Sequence, residues 1–399
     1  MNVLVVHEVS YEGKFVYEYQ DLAERLAAQG HQVYVIDFDA EGKYRATGKK
    51  VSRTGIGHVE LHSVPQVDLP VLRLVSARLA YPKFLEKFIR EKNISVIWLY
   101  SVFINGETTL DVARRLGVPV VYRVLDVYHQ LRQNPWIKWP LLMGEKKIYR
   151  EADHVCVTNE KLGHYVRDLI GPKAQPRELS TLYHGVDTEF FTPKSPDPEF
   201  KKQLGLSERD KVILFLGTLY TFSGLSQLFT EFAQVASSHP NLKWVVVGDG
   251  DQMPTLKALI REHRLENHVT LVGRRDYLEV PRWISIADVT ITPFELNSIT
   301  LDIVPIKILQ YLAAGRPMVC APIPDVMRLV PSEQSGVIYQ DIAEPRTFLE
   351  RLLELTRDED LCRTLGEQGR NFVLKEFSIQ KRVQTLEALL HHYSERSKS

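Results

Sequence analysis

The segment LDIVPIKILQYLAAGRPMV, residues 301 to 319, carries three polar side chains that could act on an anionic ligand. Lys307 and Gln310 are three residues apart, which places them on one face of a helix. We expect Asp302 to cap this helix and Pro305 to lie in its first turn. A lysine on such a face can neutralise a departing diphosphate, and the amide can bind a ribose hydroxyl. A capped amphipathic helix with two solvated polar residues explains the same segment, so both interpretations stay open.

Glycines follow several β-branched runs in the second half of the chain. Gly217 and Gly224 flank a loop that leads into a helical pattern, and such a loop offers unpaired N–H groups and the positive end of a helix dipole to phosphate. Gly248 ends another run, where either a close ligand or a tight turn would require glycine. Arg274 and Arg275 follow the run VTLVG, as further phosphate ligands or as a solvated pair. Turn chemistry alone also explains these glycines.

The first half of the chain has its own candidates at the ends of such runs. Gly13 lies in the loop HEVSYEGKF, which is not GxGxxG and therefore argues against a dinucleotide-dependent dehydrogenase. Asp126 follows VVYRVL, and a carboxylate there can act as a general base on a hydroxyl or simply form a cap or turn. His129 is a second candidate base or sugar ligand, and a structural histidine fits the same position.

Short β-branched runs alternate with helix-sized segments along the whole chain, as in NVLVV, QVYVID, ISVIWLY and HVCVT. This alternation predicts parallel strands joined by right-handed crossovers. The pattern restarts at KVILFLG after an interval rich in Pro, Ser and charge, so it predicts an α/β protein with two Rossmann-like, doubly wound domains, residues 1–195 and 205–376. We expect helix 377–395 to pack back on the first domain. Because such sheets bind ligands at the carboxyl ends of their strands, the two domains are expected to face a deep cleft.

Composition excludes several classes of protein. The 50 basic residues balance the 50 acidic ones among 399 residues, so the total charge does not indicate nucleic acid as a partner. The three cysteines are far apart and lack a CxxC spacing, which argues against a disulfide framework or a structural zinc site and fits a reducing cytoplasm. No metal constellation or bound cofactor is expected. No apolar run reaches the ~20 residues that a membrane-spanning helix requires.

Residues 211 to 340 resemble, in order and spacing, the nucleotide-sugar half of GT-B glycosyltransferases, especially family 4. The similarity consists of the glycine loop, VVVGDG, LVG, IADVTITPF, LQYLAAGRPMV and SGVIY. The amino-terminal half adds YEGKFVYEYQDLAERLAAQGHQVYVID, EADHVCVTNEKL and HGVDTEFF, so the resemblance covers nearly the whole chain. It implies a UDP- or GDP-linked sugar donor in the second domain and a glycan or lipid-linked acceptor hydroxyl in the first.

The chain departs from the family pattern at the site itself. Where family 4 usually has an acid, seven residues and a glutamate, this chain has Asp302 and Gln310. Thr218 and Ser223 replace the arginine and lysine that the family places in the glycine loop. A subset of GT-B enzymes, which includes the xanthan-pathway glucuronosyltransferase, resembles the chain at VVYRVLD, YHGVD and VPIKILQY. That resemblance implies that Lys307 contacts the diphosphate and that the acid after VVYRVL is the catalytic base.

These arguments define a set of candidate site residues. Asp126 and Lys307 are the candidate catalytic residues, and His129 is the candidate acceptor ligand. The candidate nucleotide-sugar ligands are Gly13, Gly217, Thr218, Ser223, Gly248, Arg274, Arg275, Asp302, Lys307 and Gln310.

Two stretches of the first half, PVLRLVSARLAYPKFLEKFIREK and QNPWIKWPLLMGEKKIYRE, mix apolar and basic residues. Amphipathic basic helices with tryptophan can rest on anionic lipid, which would suit a lipid-linked acceptor at the inner face of the membrane, and packing helices with solvated faces show the same pattern. Two rival functions also fit: a GT-B epimerase acting on a UDP-sugar, and a catalytically silent nucleotide-sugar-binding subunit. Thr218 and Ser223 suggest the silent subunit, and the sequence leaves the sugar, the acceptor and the stereochemistry open.

Overall fold

The computed structural model describes most of the chain in eight segments. They are residues 1–7, 10–12, 18–37, 47–66, 73–102, 105–130, 134–171 and 178–396. The candidate Gly13 lies outside them. The chain divides into two compact units: unit 1 consists of Met1–His184 with Lys381–Ser399, and unit 2 consists of Gly185–Gln380.

Unit 1 is an α/β layer. Its strands are β1 (Asn2–Val6), β2 (Gln32–Asp37), β3 (Thr47–Val51), β4 (Val59–Ser63), β5 (Val96–Leu99), β6 (Val120–Val124), β7 (His154–Val157) and β8 (Leu179–Thr181). Its helices are α1 (Glu18–Ala28), α2 (Arg73–Glu91), α3 (Gly106–Leu116), α4 (Pro135–Glu151), α5 (Glu160–Ile170) and most of α15 (Ile379–Arg396).

The sheet of unit 1 has the strand order β3-β4-β2-β1-β5-β6-β7-β8 among the described residues. All its pairs are parallel except β3 with β4. Helices α2 to α5 contribute to one core against it through side chains such as Leu85, Val112, Ile148 and Val166. Sequence periodicity does not reveal β3, because TGKKV is exposed along four of its five positions and lacks an apolar face.

Unit 2 repeats the layered architecture. Its strands are β9 (Lys211–Leu216), β10 (Leu242–Val247), β11 (Val269–Gly273), β12 (Val289–Thr292), β13 (Met318–Cys320) and β14 (Ile338–Tyr339). Its helices are α6 (Pro198–Gln203), α7 (Leu225–Ala233), α8 (Met253–Glu262), α9 (Val280–Ser285), α10 (Ile306–Ala313), α11 (Pro324–Leu329), α12 (Ser332–Ser335), α13 (Pro345–Arg357) and α14 (Glu359–Glu376).

The sheet of unit 2 is parallel throughout, in the order β11-β10-β9-β12-β13-β14. Chain order reverses on the two sides of β9, so the carboxyl ends of β9 and β12 form a topological switch point, where open α/β sheets bind their ligands. The prediction of two Rossmann-like parallel α/β domains is confirmed.

No helix within these eight segments combines the length and the apolar character needed to cross a membrane.

Candidate functional site

Three glycines shape the loops at the switch point of unit 2. Gly217, Gly224 and Gly248 have φ values of 131°, 72° and 148°, in the region that favours glycine. A Cβ on Gly248 would overlap the carbonyl oxygen of Gly217, and a Cβ on Gly224 would overlap that of Pro293. Close contact between backbones therefore requires glycine at positions 224 and 248.

Helix α10 places Lys307 directly against this loop. A Cβ built on Gly217 would lie 3.4 Å from Lys307 Nζ. The lysine is only 7% exposed, and its Nζ lies 3.9 Å from the ring centre of Phe215 and 4.4 Å from that of Phe294. No carboxylate whose side chain the structure describes forms an ion pair with it. Burial lowers the pKa of Lys307 to about 7, while the two aromatic faces favour its cationic form.

Gln310 lies on the same buried face of α10 as Lys307. Its side chain is also 7% exposed, and its amide has no hydrogen-bond partner among the residues that the structure describes. The next residue, Tyr311, accepts a 2.8 Å hydrogen bond from the backbone N–H of Leu216 and so ties α10 to the end of β9. The interpretation of Lys307 and Gln310 as solvated surface residues is therefore wrong. Both are largely buried polar groups, and a ligand or water can supply the partners that the described side chains do not.

The predicted cap at Asp302 is also wrong. Helix α10 begins at Ile306, with Pro305 at its N-cap and no side-chain cap. Asp302 ends a separate 3-10 turn, Thr300–Asp302, and its side chain lies outside the described part of the chain. Proline keeps the preceding residue out of the helical region, so the helix starts only after Pro305.

The two loop positions that lack the family's cations have different environments. Thr218 is exposed, whereas Ser223 is fully buried and donates a hydrogen bond to Gln252 Oε1. Gln252 Nε2 donates in turn to the carbonyl of Thr221 and to Ser226 Oγ, at 3.2 Å each. Ser223 therefore holds the loop in shape and does not offer its hydroxyl to a ligand.

Arg274 and Arg275 are exposed residues after β11, an edge strand that is two positions from β9 in the sheet. The guanidinium of Arg275 lies 5.6 Å from the ring centre of Trp283, and its Nη2 donates a 3.4 Å hydrogen bond to the carbonyl of Val272. The pair therefore follows the carboxyl end of β11, and Lys307 lies at the carboxyl end of β9 in the same sheet. The structure does not bring the two arginines into contact with that lysine.

In unit 1, the loop after β6 carries both predicted residues. Asp126 is exposed, and its Oδ1 accepts a 2.7 Å hydrogen bond from the backbone N–H of Val127. His129 is buried, and its Nδ1 lies 2.7 Å from Oε2 of Glu145 on α4. Glu145 was not among the sequence-based candidates. Its only local signal is an acidic residue at a completely buried position of α4.

A buried ion pair of unit 1 was also absent from the sequence-based set. Arg123 on β6 is completely buried, and its Nε and Nη2 each donate a 2.9 Å hydrogen bond to the carboxylate of Glu18. His184 Nδ1 lies 2.5 Å from the same carboxylate. Burial by itself would raise the pKa of Glu18, but Arg123 and then His184 outweigh it and hold that pKa well below its usual range. An arginine inside the apolar run VVYRVL is the signal that could have revealed this pair.

Two family models match the chain. The model for Glycosyltransferase Family 4 matches residues 19–190, and the model for Glycosyl transferases group 1 matches residues 196–372. Together they cover most of both units. The chain therefore belongs to the family 4 glycosyltransferases, a family of GT-B enzymes.

Known proteins agree with this assignment. N-acetyl-alpha-D-glucosaminyl L-malate synthase of Bacillus anthracis is 21% identical over 93% of this chain and 92% of its own length. Alpha-monoglucosyldiacylglycerol synthase of Acholeplasma laidlawii is 22% identical over 88% and 86%. The crystal structure of Anabaena HepE in complex with UDP is 16% identical and covers 98% of this chain and 100% of HepE with a TM-score of 0.72. The fold is thus GT-B, and the protein is a glycosyltransferase.

Proposed function

We propose that the protein transfers a sugar from a UDP- or GDP-linked donor, held by unit 2, to a hydroxyl of a glycan or lipid-linked acceptor, held by unit 1. The observation that carries this proposal is Lys307, a buried amine beside the glycine loop at the switch point that has no carboxylate partner among the side chains that the structure describes. An incoming diphosphate would supply the missing negative charge. The name of the Acholeplasma relative, alpha-monoglucosyldiacylglycerol synthase, supports a lipid acceptor.

The donor half of the mechanism follows from the loop geometry. The amino terminus of α7 begins directly after Gly224, so its free N–H groups and dipole favour a phosphate group there. Protonated Lys307 would stabilise the negative charge that grows on the diphosphate as the bond to the anomeric carbon breaks. Gln310 would bind a ribose hydroxyl or a phosphate oxygen. The proposal is metal-independent because the protein itself supplies the positive charge.

The acceptor half involves the loop after β6. Asp126 is exposed at the carboxyl end of a parallel strand, where its carboxylate can receive or orient an acceptor hydroxyl. In an inverting reaction the hydroxyl proton would pass to a base of this unit as the hydroxyl oxygen attacks the anomeric carbon. In a retaining reaction the departing phosphate oxygen would accept that proton, and Asp126 would only orient the acceptor.

Contact with a membrane surface would bring the enzyme to a lipid-linked acceptor. Asn134 caps α4, and the first two turns of this helix expose Trp136 at 87% and Trp139 at 66%, with the exposed Lys138 between them. Tryptophan and lysine together favour the interface of anionic lipid. We propose that these turns touch the inner face of the cell membrane.

Vesicle sedimentation tests the membrane contact. A Trp136→Ser, Trp139→Ser double variant should lose most of its binding to vesicles of phosphatidylcholine with phosphatidylglycerol, because both apolar anchors are removed. Leu278→Ser, at an exposed residue of unit 2, is the control and should bind as the wild type does. Equal binding by the double variant would exclude α4 as the anchor.

Calorimetric titration with UDP, GDP, ADP and TDP sugars, followed by a nucleotide-release assay, tests the transferase. A transferase releases nucleotide at a rate that depends on a lipid-linked or glycan acceptor. An epimerase of this fold would release nucleotide from a UDP-sugar with no acceptor present. Binding of a UDP- or GDP-sugar without turnover on any acceptor would instead support the silent nucleotide-sugar-binding subunit.

A further inference from the structure

A buried cluster of three titratable side chains lies beneath the loop after β6 in unit 1. It consists of His129 in the loop, Glu145 on α4 and Tyr165 on α5. Glu145 is fully buried, His129 is 8% exposed, and the rings of His129 and Tyr165 stack with centroids 6.3 Å apart. Three separate elements thus converge on one imidazole, which fixes the orientation of its ring.

The carboxylate of Glu145 is surrounded by donors. Its Oε1 accepts a 3.3 Å hydrogen bond from the backbone N–H of His129. Its Oε2 lies 2.7 Å from His129 Nδ1 and accepts a 3.3 Å hydrogen bond from the Tyr165 hydroxyl. Burial raises the pKa of Glu145, and the hydrogen bond and charge of His129 oppose that rise. Burial and then the charge of Glu145 raise the pKa of Tyr165, so its hydroxyl keeps the proton that it donates.

These contacts select one tautomer of His129. A carboxylate oxygen at 2.7 Å requires a proton on Nδ1, so the neutral ring carries its lone pair on Nε2. No group in the described segments forms a hydrogen bond with Nε2. His129 keeps 8% of its surface exposed, and Nε2 is not among the fully buried polar atoms, so a ligand can reach it and supply a hydrogen bond.

The neighbouring Asp126 is held differently. Its carboxylate is exposed, and in the described segments it is anchored by the adjacent backbone N–H of Val127. An acceptor hydroxyl that must be placed to within a fraction of an ångström is better bound by a group whose orientation is locked by buried neighbours. His129 meets that requirement more fully than Asp126, which can receive or orient the hydroxyl but is held by fewer described contacts.

We propose that Glu145 and Tyr165 are positioning residues that hold His129 as the Nδ1–H tautomer, so that its Nε2 accepts a hydrogen bond from a hydroxyl of the acceptor substrate. This inference rests on the proposed transferase function and assigns the ligand chemistry of unit 1: a neutral sugar or glycerol-type hydroxyl. In this role His129 orients the hydroxyl. The inference does not assign the base that takes the hydroxyl proton.

Glu145→Gln is the sharpest variant, because it keeps the shape of the side chain, reverses the hydrogen bond to Nδ1 and removes the acceptor of the Tyr165 hydroxyl. The backbone N–H of His129 retains the amide oxygen, so the amide NH₂ faces Nδ1 and drives the ring proton to Nε2. We expect turnover to fall by about 100-fold, in the range that misplacement of a reacting group costs, with the donor KM within about twofold of wild type. Glu151→Gln, at the half-buried last residue of the same helix and paired with the exposed Arg114, is the matched control and should leave turnover unchanged.

Two further variants keep the test decisive if Glu145→Gln does not fold. His129→Asn retains a donor near Nδ1 and removes Nε2, so it should lose turnover as Glu145→Gln does. His129→Gln places an amide oxygen near Nε2 and should recover part of the rate. A merely structural histidine predicts that both histidine variants lose the same amount of turnover. Equal loss would therefore overturn the proposal.

Nitrogen-15 spectra of histidine-labelled protein give a readout that does not depend on activity. The His129 signals, assigned by their loss in His129→Asn, should show a protonated Nδ1 in the wild type and a protonated Nε2 in Glu145→Gln. A wild-type ring protonated on Nε2 alone, or a Glu145→Gln enzyme with wild-type turnover, would overturn the proposal. Turnover is measured with the donor and acceptor on which the wild type is active. Failure of the transferase proposal is distinguishable, because then the wild type itself shows no acceptor-dependent nucleotide release.

Discussion

The two units share an α/β architecture with largely parallel sheets, but they differ in whether their buried charged groups have partners. In unit 1, the guanidinium of Arg123 is bonded to the carboxylate of Glu18, and Glu145 is bonded to His129. In unit 2, Lys307 lies against two aromatic rings, with no ion pair among the described residues. A buried charge costs several kcal/mol unless it is paired. Paired charges therefore hold the framework of unit 1, whereas the unpaired amine of unit 2 is a cost that an anionic ligand can offset.

The largest expected effect comes from removing one partner of the buried ion pair in unit 1. Arg123→Ala leaves the Glu18 carboxylate buried with only His184 beside it, so the free energy of unfolding of unit 1 should fall by about 3–5 kcal/mol. Urea unfolding measures this loss. Arg114→Ala removes an exposed ion pair with Glu151 and is the control, with an expected loss of at most about 1 kcal/mol. Similar losses in the two variants would show that the buried pair does not stabilise unit 1.

The next effect concerns the unpaired amine. Lys307→Ala should lower turnover by ~10²-fold or more, because the charge on the departing diphosphate loses its stabilising group. Lys257→Ala, at an exposed lysine on α8 of the same unit, provides the matched control and should keep the wild-type rate. Nucleotide release under saturating donor measures both. If Lys307→Ala turned over normally, Lys307 would have no part in the mechanism.

A smaller effect separates two costs of replacing a glycine in unit 2, that of a positive φ and that of close backbone contact. Gly205 and Gly248 both have positive φ, but a Cβ on Gly205 has no atom within 4 Å, whereas one on Gly248 overlaps the carbonyl oxygen of Gly217. Gly205→Ala should cost about 1 kcal/mol of unfolding free energy. Gly248→Ala should cost a further ~1–3 kcal/mol from overlap. Only Gly248→Ala should also weaken UDP binding, and calorimetry that found equal affinities would contradict the role of this loop.

The smallest expected effect is the uptake of a proton when UDP binds. Free Lys307, with its pKa lowered to about 7 by burial, is mostly neutral at pH 8, and a bound diphosphate favours the protonated form. UDP binding at pH 8 should therefore take up about 0.9 proton, and much less at pH 6. Affinity should fall as pH rises above about 7. Titrations in buffers of different ionisation enthalpy measure this uptake.

The control for the proton balance is Lys307→Met, which has no amine to protonate. Its residual UDP binding should show no proton uptake at pH 8. Equal uptake in the variant and the wild type would place the titrating group elsewhere.

Much of the fold can be predicted from local pattern. The runs NVLVV and KVILFL predict β1 and β9 because strands of a parallel sheet are buried on both faces and need continuous β-branched and aliphatic residues. Lys307 and Gln310 can be placed on one face of α10 because helical spacing is a local property. The start of α10 could not be predicted so well, since Asp302 and Pro305 compete to set it.

Tertiary packing alone decides which buried charges have partners. Glu18 and Arg123 are 105 residues apart, and neither position shows that the other completes its ion pair. Nor does the sequence show that Ser223 faces inward toward Gln252, or that Lys307 lies against Gly217 with no carboxylate beside it in the described segments. Local periodicity determines which residues form strands and helices, because dihedral preference and burial act within one element. The partners of a charge are set by contacts between distant elements, and these contacts leave no local pattern to read.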